Sequence, residues 1–322
     1  MDPDKKRIGR YDITAVLGQG GMGVVYKAQD SEIRRQVAIK MILAPMVGET
    51  ELVNRFYDEV RVTANLHHPN IVTVYDWGKE DGNPYIVMEF LDGLSLDRVR
   101  ITAANGSLLL YQQLDVLIQV CAGLQYAHNN AVIHRDVKPA NIVMLKDKTV
   151  KLVDFGIARL VDSSITRAGV TRDGQIIGSL EYMSPEQLEG ASIDHRTDVY
   201  SSGVVLYRLL TETLPFHGTD VASTITKILH SKPRSLSDYL NAYPPELDEI
   251  LGRAMAKHRA ERFQSADEFA LELASVQSKL KRSFAAEYIA KAEACLERSD
   301  WATAKSHLLE LLNIDRGHER AN

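Results

Sequence analysis

The segment from His134 to Gly156 constrains this chain more than any other. It reads His134-Arg135-Asp136-Val137-Lys138-Pro139-Ala140-Asn141, then an apolar run, then Asp154-Phe155-Gly156. Asp136, Lys138, Asn141 and Asp154 are costly to place among apolar neighbours, yet all four crowd into this one stretch. Val150-Lys151-Leu152-Val153 alternates as a half-buried strand does, and Ile142-Val143-Met144-Leu145 can pair with it across the Lys146-Asp147-Lys148 turn. Such a hairpin would hold Asp136 and Asn141 near one end of a strand pair and Asp154 just after it. Two acids and an amide converging there make an oxygen-rich site, and hard oxygen ligands suit Mg²⁺ shared with substrate phosphates.

The N-terminal third supplies a place for those phosphates. Tyr11 to Leu17 alternates with period two, and Gly18-Gln19-Gly20-Gly21-Met22-Gly23 leads into Val24-Val25-Tyr26-Lys27-Ala28. A glycine-rich turn between two strands lets backbone N–H groups approach an anion without interference from Cβ atoms. Taken alone, the glycine pattern fits a ligand-free hairpin equally well. A dinucleotide fold would need a helix straight after the glycines; here a β-branched strand follows, and Val37-Ala38-Ile39-Lys40 ends in a lysine. A strand-end lysine commonly snorkels to water. As a point charge on phosphates it needs a carboxylate partner. The next amphipathic helix, with Leu52, Phe56, Val60 and Ala64 at helical spacing, offers Glu59 on the flank of its apolar stripe.

His67-His68-Pro69-Asn70 reads as a helix stop, since adjacent histidines point apart and no third ligand spacing follows. Strands are expected over 71–75 and 85–90, joined by a turn at Glu80-Asp81-Gly82-Asn83-Pro84. Leu91-Asp92-Gly93 marks a hinge. Beyond it the pattern is helical over Leu108–His128, Asp198–Thr211, Val221–His230, Glu246–Met255 and Ser265–Leu280, with Cys121 on a core stripe.

Composition closes off several classes. A net charge of -5 over 322 residues, with no basic block, argues against a nucleic-acid binder. Two distant cysteines exclude a disulfide framework or a cysteine zinc site and fit a reducing, cytoplasmic setting. The N-terminus lacks the apolar core of a signal peptide. No apolar run approaches the ~20 residues that cross a bilayer, so any membrane anchor would lie outside this chain.

These motifs, in this order, resemble the eukaryotic-like (Hanks-type) Ser/Thr protein kinases of bacteria over residues 11 to 280. The resemblance implies an α+β bilobal protein kinase fold: a small five-stranded antiparallel N-lobe with one key helix over 11–91, and a larger, mostly α-helical C-lobe over 92–280. Residues 1–10 become an N-terminal extension. It implies transfer of the γ-phosphate of ATP to Ser or Thr hydroxyls of protein substrates, with Mg²⁺ as cofactor and Mn²⁺ as a substitute. Gly18, Gly20 and Gly23 would cover the phosphates. Lys40, braced by Glu59, would pair the α- and β-phosphates, and Asp136 would be the catalytic base. Lys138 would neutralise the transferring phosphoryl group, and Asn141 and Asp154 would hold metal. Leu17, Val25, Ala38, Met88, Ser95 and Val143 would line the nucleotide site, with Glu89 and Leu91 offering backbone groups to the adenine edge. Asp198 would brace the catalytic loop, and Glu186 would pair with Arg262. With all the polar positions filled, an active enzyme is favoured over a nucleotide-binding pseudokinase scaffold.

In this family the arginine before the catalytic aspartate reads an activation-loop phosphate. That makes Arg135 regulatory, and Ser163, Ser164, Thr166 and Thr171 candidate sites of trans-autophosphorylation through self-association. Ser179, where threonine is usual, keeps the hydroxyl expected of a Ser/Thr kinase. Residues 284–322 resemble a tetratricopeptide-like helical hairpin, with Tyr288, Ala292, Cys295, Trp301, Ala304, Leu308 and Leu311 at packing positions and a break at Ser299-Asp300. One repeat cannot bury its faces alone. The tail is therefore expected to be the start of a repeat array that binds a peptide or protein partner, or else a hairpin packed on the kinase or on a second copy.

Overall fold

The structure is a computed structural model, and it describes residues 7–20, 23–42, 60–99, 108–155 and 180–314. An antiparallel sheet opens the chain: β1 (Arg7–Ile8), β2 (Tyr11–Gly20), β3 (Gly23–Asp30), β4 (Gln36–Ile42), β5 (Val74–Glu80) and β6 (Asn83–Glu89). Its order is β1-β2-β3-β4-β6-β5, so it has six strands rather than five. The additional strand lies in what the sequence presents as an extension. Arg7 and Ile8 fold back on Asp12 and Tyr11, and Ile8 is fully buried. One apolar residue before a glycine turn is too short a signal for periodicity to register.

The pleat of this sheet sorts its side chains. Val37, Ile39 and Met41 of β4 join Val24, Tyr26 and Ala28 of β3 in one cluster on the outer face. The alternate residues Ala38 and Ile42 join Ile86, Met88, Val60 and Val72 on the other face. Lys40 lies between Ala38 and Ile42 on that second face, so period-two geometry aims it at the cleft.

A second sheet, β7 (Gly93–Ser95), β8 (Ile142–Leu145) and β9 (Val150–Leu152), lies beyond the hinge. The helices follow: α1 (Leu110–Asn129), α2 (Pro185–Leu188), α3 (Arg196–Thr211), α4 (Val221–His230), α5 (Glu246–Ala254), α6 (Ala266–Glu297) and α7 (Trp301–Ile314). Their apolar faces share one core, in which Leu117, Cys121 and Leu124 of α1 meet Val204 and Val205 of α3 and Phe269 of α6. Burial pushes the Cys121 thiol pKa up, which suits a core residue.

Helix α6 runs unbroken through residues 281–283, where the sequence suggests a boundary between kinase and tail. Its stretch packs on α1: Gln277 Nε2 donates to Tyr111 O at 2.9 Å, and the Phe284 and Tyr111 rings lie 5.8 Å apart. The expected break is present. Asp300 N donates to Cys295 O, and Asp300 Oδ1 accepts from Thr303 N to start α7. Ala292, Ala304 and Leu311 are buried in the hairpin, while Trp301 is 70% exposed.

Candidate active site

The expected hairpin β8–β9 forms, with Ile142 opposite Leu152 and Met144 opposite Val150. The Asn141 carbonyl accepts from Val153 N at 3.0 Å, which ties the residue before β8 to the one before Asp154. A 3₁₀ turn at Pro139–Asn141 swings the Asn141 side chain back, and its Nδ2 donates to Asp136 O (2.9 Å) and to Asp136 Oδ2 (2.8 Å). Lys138 Nζ reaches the same Asp136 oxygen at 2.7 Å. Two donors therefore orient one carboxylate.

The loop carrying these groups is held from below. Asp198, on the first turn of α3, is fully buried. It accepts from His134 N (2.9 Å), Arg135 N (2.8 Å) and His128 Nε2 (2.7 Å). Burial alone would push this carboxyl pKa up; the bonds from His128 and the field of both histidines outweigh it and hold it below the ordinary range. Arg135 adopts φ 66°, a left-handed conformation that a non-glycine residue keeps only when its surroundings enforce it. Here the backbone bonds to Asp198 and from Gln187 Nε2 to Arg135 O (2.8 Å) do so.

Above the hairpin, Lys40 Nζ lies 2.8 Å from Asp154 Oδ1. Asp154 also has a left-handed backbone, φ 63°, which turns the chain out of β9 toward the cleft. Burial would raise its pKa, but Lys40, then His134 and Lys138, hold it below the usual carboxylate value. Phe155 packs inward against His134, with ring centroids 4.5 Å apart. Glu59, the expected partner of Lys40, lies outside the described residues, as do Gly156, Ser163, Ser164, Thr166, Thr171 and Ser179.

Sheet register pairs the remaining nucleotide-site candidates with one another. Gly18 pairs with Val25, Val25 with Lys40, Ala38 with Met88, and Ser95 with Val143. Gly20 pairs with Gly23 at the mouth of the glycine turn. Leu17 on β2 is exposed, and Leu91 packs against the cluster containing Ala38 and Met88. Glu89 N donates to Thr73 O at 2.9 Å, so its N–H is already committed to the protein.

Two features escape sequence reasoning. Lys151 Nζ pairs with Glu89 Oε2 at 2.7 Å, joining β9 of one sheet to the end of β6 in the other beside the hinge. Its signal is Lys151 itself, a lysine alternating with the buried Val150 and Leu152. His128, which braces Asp198, follows Leu124 and Ala127 on the buried stripe of α1, where a polar residue calls for a partner.

The donor set suits a hard cation. Asn141 commits its NH₂ to Asp136, so its amide oxygen and the carboxylate of Asp154 are the ligand-type atoms of this stretch. Oxygen donors of this kind fit Mg²⁺ or a similar ion shared with phosphates. A carboxylate fixed by an amide and a lysine, and an ion pair joining the two sheets, are parts that phosphoryl transfer can use.

The profile of the protein kinase domain family matches residues 11–285. This chain belongs to the protein kinase family. Curated proteins similar to it are serine/threonine-protein kinases. The chain is 38% identical over 273 residues to the serine/threonine-protein kinase PknB of Mycobacterium leprae, covering 84% of this chain and 43% of that protein. It is 36% identical over 269 residues to PrkC of Bacillus subtilis, covering 83% and 41%. The crystal structure of the Mycobacterium tuberculosis PknI kinase domain superposes with a TM-score of 0.65 at 29% identity, covering 84% of this chain and 97% of that one. The kinase chain thus spans about two fifths of the length of those curated relatives. Among its described residues, no helix is long and apolar enough to cross a membrane.

Proposed function

We propose that this chain is an ATP-dependent serine/threonine protein kinase that phosphorylates proteins in bacterial signal transduction. The observation that carries the reading is the double hold on Asp136 by Asn141 and Lys138. In the reaction, the substrate hydroxyl oxygen bonds to the γ-phosphorus as the bond to the ADP oxygen breaks, and the hydroxyl proton passes to Asp136. Lys138 leaves Asp136 for the transferring phosphoryl oxygens, and Lys40 neutralises the α- and β-phosphates. Asn141 and Asp154 would hold Mg²⁺, with Mn²⁺ as a substitute, and the ion supplies charge neutralisation on the phosphates when bound. A pseudokinase scaffold is not favoured, because Lys40, Asp136, Lys138, Asn141 and Asp154 all retain reactive chemistry.

Regulation follows from Arg135. A phosphate on Ser163, Ser164, Thr166 or Thr171, placed by one copy on another, would dock at this arginine and order the loop. Ser179 would contact the catalytic loop. The tail remains a tetratricopeptide-like hairpin for a peptide or protein partner; the Phe284–Tyr111 contact favours its packing on the kinase over a free array. Incubation with radiolabelled ATP, acid hydrolysis and phosphoamino-acid separation test the reading. Phosphoserine or phosphothreonine is expected, and phosphotyrosine alone would overturn it.

A further inference from the structure

Strand β9 is an edge of the second sheet, whose order is β7-β8-β9. Beyond an isolated bridge to Ile71, no strand completes it among the described residues. Its outward backbone groups still need partners, and side chains and a loop supply them. Val150 N donates to Gln119 Oε1 at 2.9 Å, and Val150 O accepts from Asn70 Nδ2 at 2.8 Å. Leu152 N donates to Asn70 O, and Leu152 O accepts from Val72 N, both at 2.9 Å. Helix α1 comes so close here that a Cβ on Gly123 would stand 3.0 Å from Asn70 O and from Leu152 Cδ1. Asp154 follows two residues after Leu152.

Gln119, on α1, is the hub of this edge. Its Oε1 accepts from Val150 N and also from Asn70 Nδ2 (3.1 Å). Its Nε2 donates to Lys148 O (3.2 Å) and to Asp115 Oδ2 (2.9 Å). A side-chain amide has two donor hydrogens and two lone pairs, so Gln119 is fully used and a flip would lose every bond. Asp115 takes its other donor from outside α1. Gln277 Nε2, on α6, donates to Asp115 Oδ1 at 3.0 Å as well as to Tyr111 O. Asn70 and Gln277 are buried, and a satisfied buried network holds its members in one arrangement. Hydrogen bonds therefore run without a gap from Gln277 through Asp115 and Gln119 to the backbone of β9.

We propose that Gln277 is a positioning residue for phosphoryl transfer: through Asp115 and Gln119 it fixes the edge of β9, and with it the place where Asp154 leaves the sheet. The inference rests on the phosphoryl-transfer reading of Asp154. Gln277 touches no reacting atom; it acts through the carboxylate and the amide between. Because α6 runs on into the tail hairpin, the same relay joins the tail to Asp154.

The test uses the whole chain and Gln277→Met, which keeps the length of the side chain and removes both donors. Hydrogen exchange is followed without nucleotide at the Val150 amide, with the Val205 amide in the core of α3 as the reference for general loosening. Calorimetry measures Mg²⁺-dependent ADP binding. In Gln277→Met the Val150 amide is expected to exchange at least about threefold faster relative to Val205, and ADP affinity to fall at least about threefold. Asp115→Asn reads the same loss from the middle of the relay should Gln277→Met fail to fold. Gln119→Ala is expected to weaken ADP binding too, and adding Gln277→Met to it to change the affinity less than about twofold further, since both act on one path. Lys279→Ala, which breaks the exposed 2.9 Å pair with Glu246 on the same helix, is expected to leave both readings unchanged. Val150 exchange that merely follows Val205, or fully additive losses from Gln119→Ala and Gln277→Met, would overturn the proposal. A wild type that binds no ADP with Mg²⁺ would overturn the kinase reading, and Val150 exchange would still decide whether Gln277 holds β9.

Discussion

Lys40 on β4 and Asp154 after β9 form a 2.8 Å ion pair that closes the cleft between the two sheets. Each is the other's counter-charge, and both are phosphate- or metal-directed groups in the proposed reaction. The pair keeps Asp154 ionised: its depressed pKa means the carboxylate persists until the pH falls below the usual range. Removing the Lys40 cation leaves burial, which raises the pKa, opposed by the weaker fields of His134 and Lys138. In Lys40→Met, phosphotransfer should fall by about 10²-fold or more. In addition, Mg²⁺-dependent ADP binding should weaken more steeply with falling pH than it does in the wild type. Calorimetric titrations at several pH values read both.

Glu186 and Arg262 test the frame below the site. Arg262 is fully buried, with NH1 and NH2 at 2.7 and 2.8 Å from the two Glu186 oxygens. Breaking a buried pair from one side leaves a charge stranded, at a cost of about 3–5 kcal/mol. Arg262→Ala should lower the urea unfolding free energy by that amount. The Glu186 pKa, which burial would raise and Arg262 pulls below normal, sets the pH sign. The contribution is present above the unfolded carboxyl pKa and is lost as the pH falls through the lower folded one. The variant's deficit should therefore shrink in acid.

Two glycines separate structural from functional need. A Cβ on Gly23 would stand 2.0 Å from the Met41 carbonyl oxygen, whereas one on Gly18 meets nothing within 4 Å. Gly23→Ala should destabilise the fold by about 1–3 kcal/mol through forced shifts of β3 against β4. Gly18→Ala should leave stability within about 0.5 kcal/mol and weaken binding of an ATP analogue. Thermal unfolding and analogue titration on both variants decide it.

Lys257 should be a stability liability. Its folded pKa, about 8, lies below the ordinary lysine value, so the unfolded chain binds more protons between those two points. Stability then rises with pH across that window, and the full penalty operates below it. Lys257→Met, nearly isosteric and apolar, should raise the melting temperature at neutral pH, with the gain fading toward about pH 10 as the wild-type amine loses its charge in both states.

Much of the site was legible because its groups sit close together in sequence. Asp136, Lys138, Asn141 and Asp154 lie on one loop and one hairpin, so local spacing predicts their convergence. Lys40 was readable from the strand period that turns it away from Val37 and Ile39. The Lys151–Glu89 pair was not legible, since it joins residues 62 positions apart on different sheets. Strand β1 was missed because two residues carry no period. The sequence pattern ends one helix at Leu280 and opens the tail at 284, whereas α6 is continuous over Ala266–Glu297, and Lys281, Arg282 and Ser283 all favour or tolerate helix. In the structure they form a turn of α6 that is largely exposed, while Phe284 just beyond packs against Tyr111.

The central claim is that Asp136, held by Asn141 and Lys138, accepts the proton of a Ser or Thr hydroxyl during phosphoryl transfer. The most direct measurement compares transfer of the labelled γ-phosphate of ATP to a protein acceptor by the wild type and by Asp136→Asn at equal ADP affinity. The account predicts label on serine or threonine with the wild type and a loss of at least about 10²-fold in the variant. Equal transfer by the two proteins, or none by the wild type with a broad panel of acceptors, would contradict it.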